Sequence, residues 1–339
     1  MTFMFCENPR LDQWLRKNLV CPRDFKSLEE NSNALACSEG HSYPLVAGVP
    51  ILLLKEVVPT QEKFWETLGQ PRSSEVSLQN GLDPFVRKAI PATSGNLYRL
   101  LKLNRYPIPE LPLPQGEMGL FLDLGCNWGR WCLSAAQKGY LPIGIDPNLE
   151  AVLAARRVSK QLGHSACFLV ADARHLPFAP SCMDIVFSYS VLQHFKKSDV
   201  RRVLQEISRI LKPGGTSLIE MPNVFGLHNL LHQLKRGFRK ARDFEVRYWT
   251  PAELKKTFGL QIGSTLLFAD GYFSLNPQAA DMELLPFGYR FIVKTSEFLR
   301  KSSLRWRWMT YGADSLYVRS STASSGEPAK ISPMDKKPS

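Results

Sequence analysis

The sequence predicts an α/β chain built on a largely parallel sheet, and three observations lead there. Residues 119 to 130, GLFLDLGCNWGR, read as a buried strand that ends on an acidic residue and runs through a glycine-bearing turn into a helix. A second apolar run, YLPIGID, ends in Asp146, twenty-one residues after Gly125. Towards the C-terminus, STLLFADGYF and ADSLYVRSS alternate in polarity as two further strands would.

The first turn is a nucleotide-cofactor turn in its residue types: Asp123, Gly125, Asn127 and Gly129. Gly125 lets the chain leave the strand with dihedrals closed to other residues, and Gly129 is expected to leave room for a ligand against the helix start. Asp146 stands where a Rossmann-like sheet sets a carboxylate against a ribose diol. A dinucleotide would call for G-x-G-x-x-G, whereas the chain has D-x-G-x-N-x-G. A carboxylate two residues before the first glycine repels a pyrophosphate and attracts an amine. S-adenosylmethionine carries such an amine. The bland alternative is a Rossmann-like core whose glycines only make a tight turn.

Four segments in order carry a resemblance: DLGCNWGR; GIDP; ADARHLPF followed by CMDIVFSYSVLQHF; and LKPGG leading into TSLIEMPN. Over residues 119 to 221 the chain resembles the class I S-adenosylmethionine-dependent methyltransferases of the type 11 domain family. The resemblance implies a Rossmann-like class I methyltransferase sheet with an antiparallel final strand. It gives Asp146 the ribose, and Asp172 with Ala173 the adenine. Asn127 departs from the family's usual glycine, and Trp128 beside it is bulky; Asn tolerates a left-handed backbone better than other residues except glycine, so the turn is expected to survive.

Composition is that of an ordinary soluble protein whose 339 residues suggest about two domains. MTFMFCENPR has a charge and a proline where a signal peptide has an apolar stretch, and LVAGVPILLL is too short and too broken to span a bilayer. A cytoplasmic protein, peripheral at a membrane if the basic surface described below meets one, is expected. Seven cysteines without a framework spacing suit a reducing compartment. The net charge of +12 is uneven: residues 1–118 hold 13 basic and 13 acidic groups, residues 222–318 hold 14 and 8. Such an excess suits nucleic acid, anionic lipid or an acidic substrate, and equally a solvated face.

Residues 1–55 contain two turns with candidate metal ligands, Cys21 with Asp24 and Cys37 with His41. Tetrahedral zinc takes four N, S or O ligands, often as two short-spaced pairs. The segment resembles the zinc-ribbon domain that precedes some methyltransferase domains, including rRNA guanine methyltransferases, and that also occurs as a free-standing partner of tRNA methyltransferases. Asp24 stands where that pattern has a second cysteine. The competing reading is a metal-free knuckle held by Tyr43, Leu45, Val49, Ile51 and Leu53.

Residues 56–118 read as a connector, with a helix near Phe64 and Trp65, a second around Leu97, Tyr98, Leu100 and Leu101 over the cofactor cleft, and a proline-rich end. Residues 119–318 form the expected methyltransferase domain with an insertion at 272–311, and residues 319–339 are expected to be disordered. FGLHNLLHQLKRGFRKARDF reads as a basic helix. Thr250, Pro251 and Glu253 form a capping box at a helix start. In the insertion, Arg290, Lys294, Arg300, Lys301, Arg305 and Arg307 alternate with aromatics including Trp306 and Trp308. That pattern fits a membrane interface; its bland reading is a lid helix whose aromatics cover the cleft, and RNA stacking is a third.

Methyl transfer from a sulfonium asks for alignment, plus a base where the acceptor is a hydroxyl. His194, directly after the fourth strand of the domain, is the candidate base, with Glu220, Asn223, His228 and His232 in the same region. SYSVLQH lacks an N-P-P-Y-like element and a Pro-Cys nucleophile, which argues against DNA. The expected function is O-methylation of a small-molecule or lipid-linked acceptor; the alternatives are RNA methylation and a methyltransferase-like binding scaffold without catalysis.

Overall fold

The computed structural model describes residues 4–31, 33–57, 81–101, 103–273, 282 and 285–324. Helix α1 (Pro9–Asn18) starts at Asn8, whose Oδ1 accepts the backbone N–H groups of Arg10 and Leu11. An antiparallel meander follows, β1 (Glu29–Asn31), β2 (Ala34–Ala36), β3 (Ser42–Val46) and β4 (Val49–Leu52).

This segment does not stand apart from the rest. Strand β4 pairs in parallel with a strand of the main sheet, Ile51 opposite Val170 and Leu52 opposite Ala171. Leu11 and Leu15 of α1 lie wholly buried in the main core. Val49, Ile51 and Leu53, expected to hold a separate knuckle together, pack instead with Phe168, Val170 and Val152 of the main domain. Cys6 and Cys167 are joined by a disulfide across 161 residues, against the expectation of reduced cysteines throughout. Spacing cannot reveal a single bond between residues so far apart.

In the connector, α2 (Pro84–Thr93) is capped by the buried Asp83, which also holds Arg157 at 2.7 Å. The residues expected to form a helix over the cleft make a short 3-10 turn, Asn96–Leu100. The proline-rich stretch lies along the main domain, with Leu111 N–H donating to Ser134 Oγ. The helix expected near Phe64 and Trp65 falls outside the described residues.

The main domain alternates strand and helix: β5 (Leu120–Leu124), α3 (Arg130–Gln137), β6 (Leu141–Asp146), α4 (Leu149–Gln161), β7 (Cys167–Ala171), β8 (Met183–Ser188), α5 (Lys197–Ile210) and β9 (Leu211–Pro222). Every residue of β5, β6 and β7 is buried, as parallel strands covered on both faces must be. After β9 come α6 (Leu227–Lys235), α7 (Pro251–Gln261), β10 (Ser264–Gly271), α8 (Phe287–Arg305) and β11 (Ser315–Ser321). Helix α7 begins with the capping box that Thr250 and Glu253 announce. The sheet order is β1-β2-β3-β4-β7-β6-β5-β8-β9-β11-β10, with β11 antiparallel to both its neighbours. The α/β class and the antiparallel final strand are therefore as the sequence predicts.

The tail begins later than expected. Arg319 pairs with Leu218 and Leu266, so residues 319–321 complete a strand inserted between two others. Residues 325–339 lie outside the described residues.

Two helices reverse the usual pattern. Helix α6 buries Asn229 and Gln233 while Leu227, Leu230, Leu231 and Leu234 are 40–56% exposed. Helix α8 buries Val293, Ser296 and Ser303 and turns Phe287, Phe291 and Phe298 outwards. Trp306 and Trp308 beyond it are also exposed. No described helix is long and apolar enough to cross a membrane.

Candidate cofactor site and metal centre

The carboxyl ends of β5, β6 and β7 bring the predicted cofactor residues to one edge of the sheet. Gly125 leaves β5 with φ 74°, and a Cβ there would lie 2.4 Å from a Val191 methyl. No other residue fits that position without moving β8's loop. Asn127 takes the left-handed conformation, φ 47°, and its Oδ1 accepts the Trp128 N–H at 2.9 Å. Trp128 points away from the cleft. It is wholly buried against Tyr106 and the connector, with Nε1–H donating to Thr93 Oγ1. Gly129 also has a positive φ, 79°, but a Cβ on it would strike the Phe168 ring at 2.9 Å. Its role is close packing of helix on sheet, not room for a ligand; the contact comes from a strand that the local motif does not include.

Asp146 ends β6 at 1% exposure, its oxygens accepting the N–H groups of Asn127 at 3.0 Å and Asn148 at 2.9 Å. Burial pushes its carboxyl up to about 6 despite those two donors. Each oxygen keeps a lone pair for a ribose hydroxyl. A small, mostly apolar slot beside it is lined by Gly125, Ile145, Pro147, Ala173, Val191 and Phe195, with Asp172 at its rim. Arg174 clasps Asp172 from two sides, its Nε on Oδ1 at 2.9 Å and NH2 on Oδ2 at 2.7 Å, so Asp172 is fixed in place before any ligand arrives.

Asp123 is buried on the opposite side of the turn. The Cys132 thiol, 3.7 Å from Oδ2, is its hydrogen-bond donor among the described residues. Burial raises it to about 7, while Arg130 nearby acts to lower it. Its surroundings fit a cationic ligand group: a full negative charge there lacks a strong donor.

The expected base is not poised to act. His194 Nδ1–H donates to Phe244 O at 2.6 Å, Nε2 faces the Gln193 amide at 3.2 Å, and the ring stacks on Phe244 at 3.7 Å. Burial holds the imidazole down at about 4. Both nitrogens are spent on the protein, which makes His194 a structural anchor for the segment after α6. Asn223 is likewise structural, its amide donating to the carbonyls of Tyr311 and Ala313. His232 meets Tyr248 OH at 2.8 Å, and His228 is exposed on α6.

Glu220 remains. Its Oε2 accepts Ser190 N–H at 2.8 Å and Ser190 Oγ at 3.0 Å, and Oε1 accepts the Ser315 hydroxyl. Ser315 Oγ also lies 2.9 Å from Asp270 Oδ2, which accepts Tyr189 OH at 2.9 Å. One hydroxyl hydrogen serves one of the two carboxyls at a time. Burial and the second carboxyl push Glu220 up to about 7 and Asp270 upward as well. The Asp270 and Ser315 contributions were invisible in sequence because they come from antiparallel strands placed by the insertion's return.

At the far end of the sheet the four expected ligands converge. Cys37 Sγ lies 3.3 Å from both Asp24 Oδ2 and His41 Nδ1, His41 Nδ1 lies 3.0 Å from Asp24 Oδ2, and Cys21 Sγ lies 3.6 Å from His41 Nδ1. All four ligand atoms fall within 4.8 Å of one another. Tetrahedral zinc with bonds of 2.0–2.3 Å separates its ligands by about 3.3–3.8 Å. The donor set fits a divalent metal of that size. Tyr43 OH, 3.1 Å from Cys21 Sγ, would orient the sulfur.

The chain is similar to known proteins over part of its length. Residues 121–215 match the family model described as a methyltransferase domain. The biotin biosynthesis bifunctional protein BioHC of Cellvibrio japonicus is 32% identical over 190 residues, which are 56% of this chain and 35% of that protein. The ubiquinone biosynthesis O-methyltransferase of Brucella ovis is 30% identical over 166 residues, 46% of this chain and 63% of that protein. The chain thus spans less than two thirds of either relative. Among solved structures, a complex of the Haloferax volcanii Trm112 methyltransferase activator with a putative methyltransferase aligns at 20% identity and TM-score 0.44, covering 70% of this chain and 93% of that one. A Methanosarcina mazei S-adenosylmethionine-dependent methyltransferase aligns at 20% identity and TM-score 0.44, covering 66% and 100%. Residues 121–215 are thus the part of the chain that is similar to a methyltransferase domain.

Proposed function

We propose that the chain transfers a methyl group from S-adenosylmethionine to a hydroxyl of a small or lipid-linked acceptor, reached from an anionic membrane surface. The observation that carries the membrane half of this reading is the pair of reversed helices: α6 and α8 follow β9 and β10, whose carboxyl ends lie on the cofactor edge, and both turn apolar side chains to solvent. Exposed leucines and aromatics are interleaved there with Lys235, Lys240, Lys294, Arg305 and Arg307. Apolar groups entering the interface while cations meet head groups is the physics of an interfacial helix. The hydroxyl acceptor is supported by the relative named as an O-methyltransferase.

When bound, the cofactor supplies an already activated methyl group. The chain's part is to hold the nucleoside at Asp146 and Asp172, exclude water with Val191 and Phe195, and take up the acceptor's proton. Glu220, coupled through Ser315 to Asp270, is the residue we assign to proton uptake in place of His194: a carboxyl near neutrality can accept a proton at working pH. Zinc at Cys21, Asp24, Cys37 and His41 would brace the sheet end and stand apart from the chemistry.

Two measurements test the reading. Calorimetric titration with S-adenosylmethionine should give binding that Asp146→Ala loses; a folded wild-type protein that does not bind would remove the enzyme reading and leave a scaffold. Co-sedimentation should find the protein with phosphatidylcholine vesicles containing phosphatidylglycerol and not with phosphatidylcholine alone. Equal recovery in both supernatants, together with RNA binding that falls steeply with salt, would replace the lipid reading by RNA.

A further inference from the structure

A second recess, with a volume of about 350 Å³, shares no residue with the cofactor slot and has room for a small molecule. Four parts of the chain wall it: the turn after α1, the residues after β4, the loop after β7, and α5. Their charges do not balance. Glu56 is held by Arg23 at 2.6 Å, and Glu206 by Arg209 at 2.7 Å and by the Leu176 N–H at 2.9 Å, so both carboxylates of the wall are already matched. Arg174 is matched to Asp172, 2.7 Å away. Arg202 is left over. Among the described residues it has no acidic partner, and one of its nitrogens lies 3.5 Å from His175 Nδ1. That contact needs a neutral imidazole, since two cations so close repel each other. Burial, and after it Arg202, holds the His175 imidazole below its ordinary range, in keeping with the contact.

We infer that this recess is a binding site for a small phosphate monoester with an apolar body, separate from the cofactor slot. An anion seated between Arg202 and His175 would give the guanidinium its missing partner, and the imidazole could take up a proton and donate as well. Arg23 can join them. Its ion pair with Glu56 is exposed on both sides, 43% and 53%, and a pair of that kind costs little to exchange. Donors arriving from three separate elements surround a tetrahedral, doubly charged group better than a planar carboxylate, which one guanidinium fork satisfies. Phe25 and Leu54 line the same recess and offer the rest of the ligand an apolar wall. A merely solvated arginine would stand clear of other basic groups, whereas this one is directed at an imidazole inside a recess. The recess is not the methyl acceptor's: Arg174 and His175 follow β7, and β6, β5 and β8 separate that strand from β9, which carries Glu220.

The experiment is calorimetric titration of the full chain at low salt with phenyl phosphate, inorganic phosphate and benzoate, repeated on Arg202→Ala, Arg202→Lys and Arg201→Ala. Phenyl phosphate should bind at one site with a Kd below about 1 mM, and inorganic phosphate and benzoate each about tenfold or more weaker, the one lacking the ring and the other the dianion. Arg202→Ala should lose about tenfold or more of the phenyl phosphate affinity, as loss of a charged hydrogen bond does. Arg202→Lys should fall between, having charge without the planar fork. Arg201→Ala removes a neighbouring exposed cation that is not in the wall, and should stay within about twofold of wild type. Arg202 is itself exposed, so its variants should melt with wild type. Wild type that binds no phenyl phosphate overturns the assignment, as does unchanged affinity in Arg202→Ala. Equal losses in Arg201→Ala and Arg202→Ala overturn it too, since they would show attraction to the basic surface at large. Benzoate binding as tightly as phenyl phosphate would overturn phosphate as the group recognised.

Discussion

The strands β5 to β7 and the helices α6 and α8 spend the same kinds of residue in opposite ways. Leu120, Phe121, Leu122 and Leu124 are buried on both faces of the sheet, at 7% exposure or less. Leu227, Phe287 and Phe291 are 56%, 86% and 69% exposed. Hydrophobicity in the first region is consumed by folding; in the second it is left over, and polar Asn229, Gln233, Ser296 and Ser303 do the packing. The difference teaches that one part of the molecule is made to be itself and the other to meet something else.

The sharpest way to break the first region is Gly125→Ala. A non-glycine residue at φ 74° and a Cβ 2.4 Å from Val191 add strain to a clash. The expected cost is about 3 kcal/mol of stability, read from urea unfolding, with cofactor binding lost in the calorimeter. Gly237, also at positive φ but with nothing within 4 Å of its Cβ, is the control: Gly237→Ala should cost about 1 kcal/mol and leave binding intact. Equal effects at the two glycines would mean that the turn and not the cleft sets the cost.

The next effect is one of pH. Burial raises Asp123 to about 7, Asp146 to about 6 and Glu220 to about 7, from 3.8, 3.8 and 4.5. Between those limits the folded protein holds protons that the unfolded chain has released, so this stability is present in acid and is lost as pH rises through 6 to 7. His194, held down at about 4 from 6.5, works in the opposite sense below 6.5, since the unfolded chain protonates first there. Above 6.5 the carboxyls act alone, and the melting temperature of the ligand-free protein should fall from pH 6.5 to 8. Asp123→Asn should flatten that slope. S-adenosylhomocysteine affinity should rise over the same interval as Asp123 becomes the anion its ammonium needs; a flat profile would detach Asp123 from the ligand.

How much of this was legible in sequence follows the range of each contact. Gly125, Asn127 and Asp146 were readable because strand, turn and helix are local patterns, and the four metal-ligand candidates because each pair sits on one turn. Gly129 was readable as a necessary glycine but not in its purpose, since Phe168 comes from another strand. His194 carried the right chemistry in the right place, and only the fold discloses that Phe244 captures it. The reversal of α6 and α8 was half legible: the alternation of cations and aromatics was plain, but which face turned outwards was set by the buried Asn229 and Ser296 contacts with Asp314 and Tyr272.

The smallest expected effect on the fold comes from the second region. Leu230→Ser with Phe291→Ser removes two side chains that are 40% and 69% exposed, and surface changes of this kind move stability by no more than about 0.5 kcal/mol. Urea midpoints should therefore be nearly superimposable with wild type, and S-adenosylhomocysteine affinity unchanged. Partition onto phosphatidylglycerol-containing vesicles should fall about tenfold or more, because each apolar side chain withdrawn from the interface forfeits roughly 1.5 kcal/mol or more of transfer free energy. A variant that loses stability as well would show these residues to be core after all. One that keeps vesicle binding would leave the charge of Lys294, Arg305 and Arg307 to account for it, and raising the salt concentration would then release the wild-type protein completely.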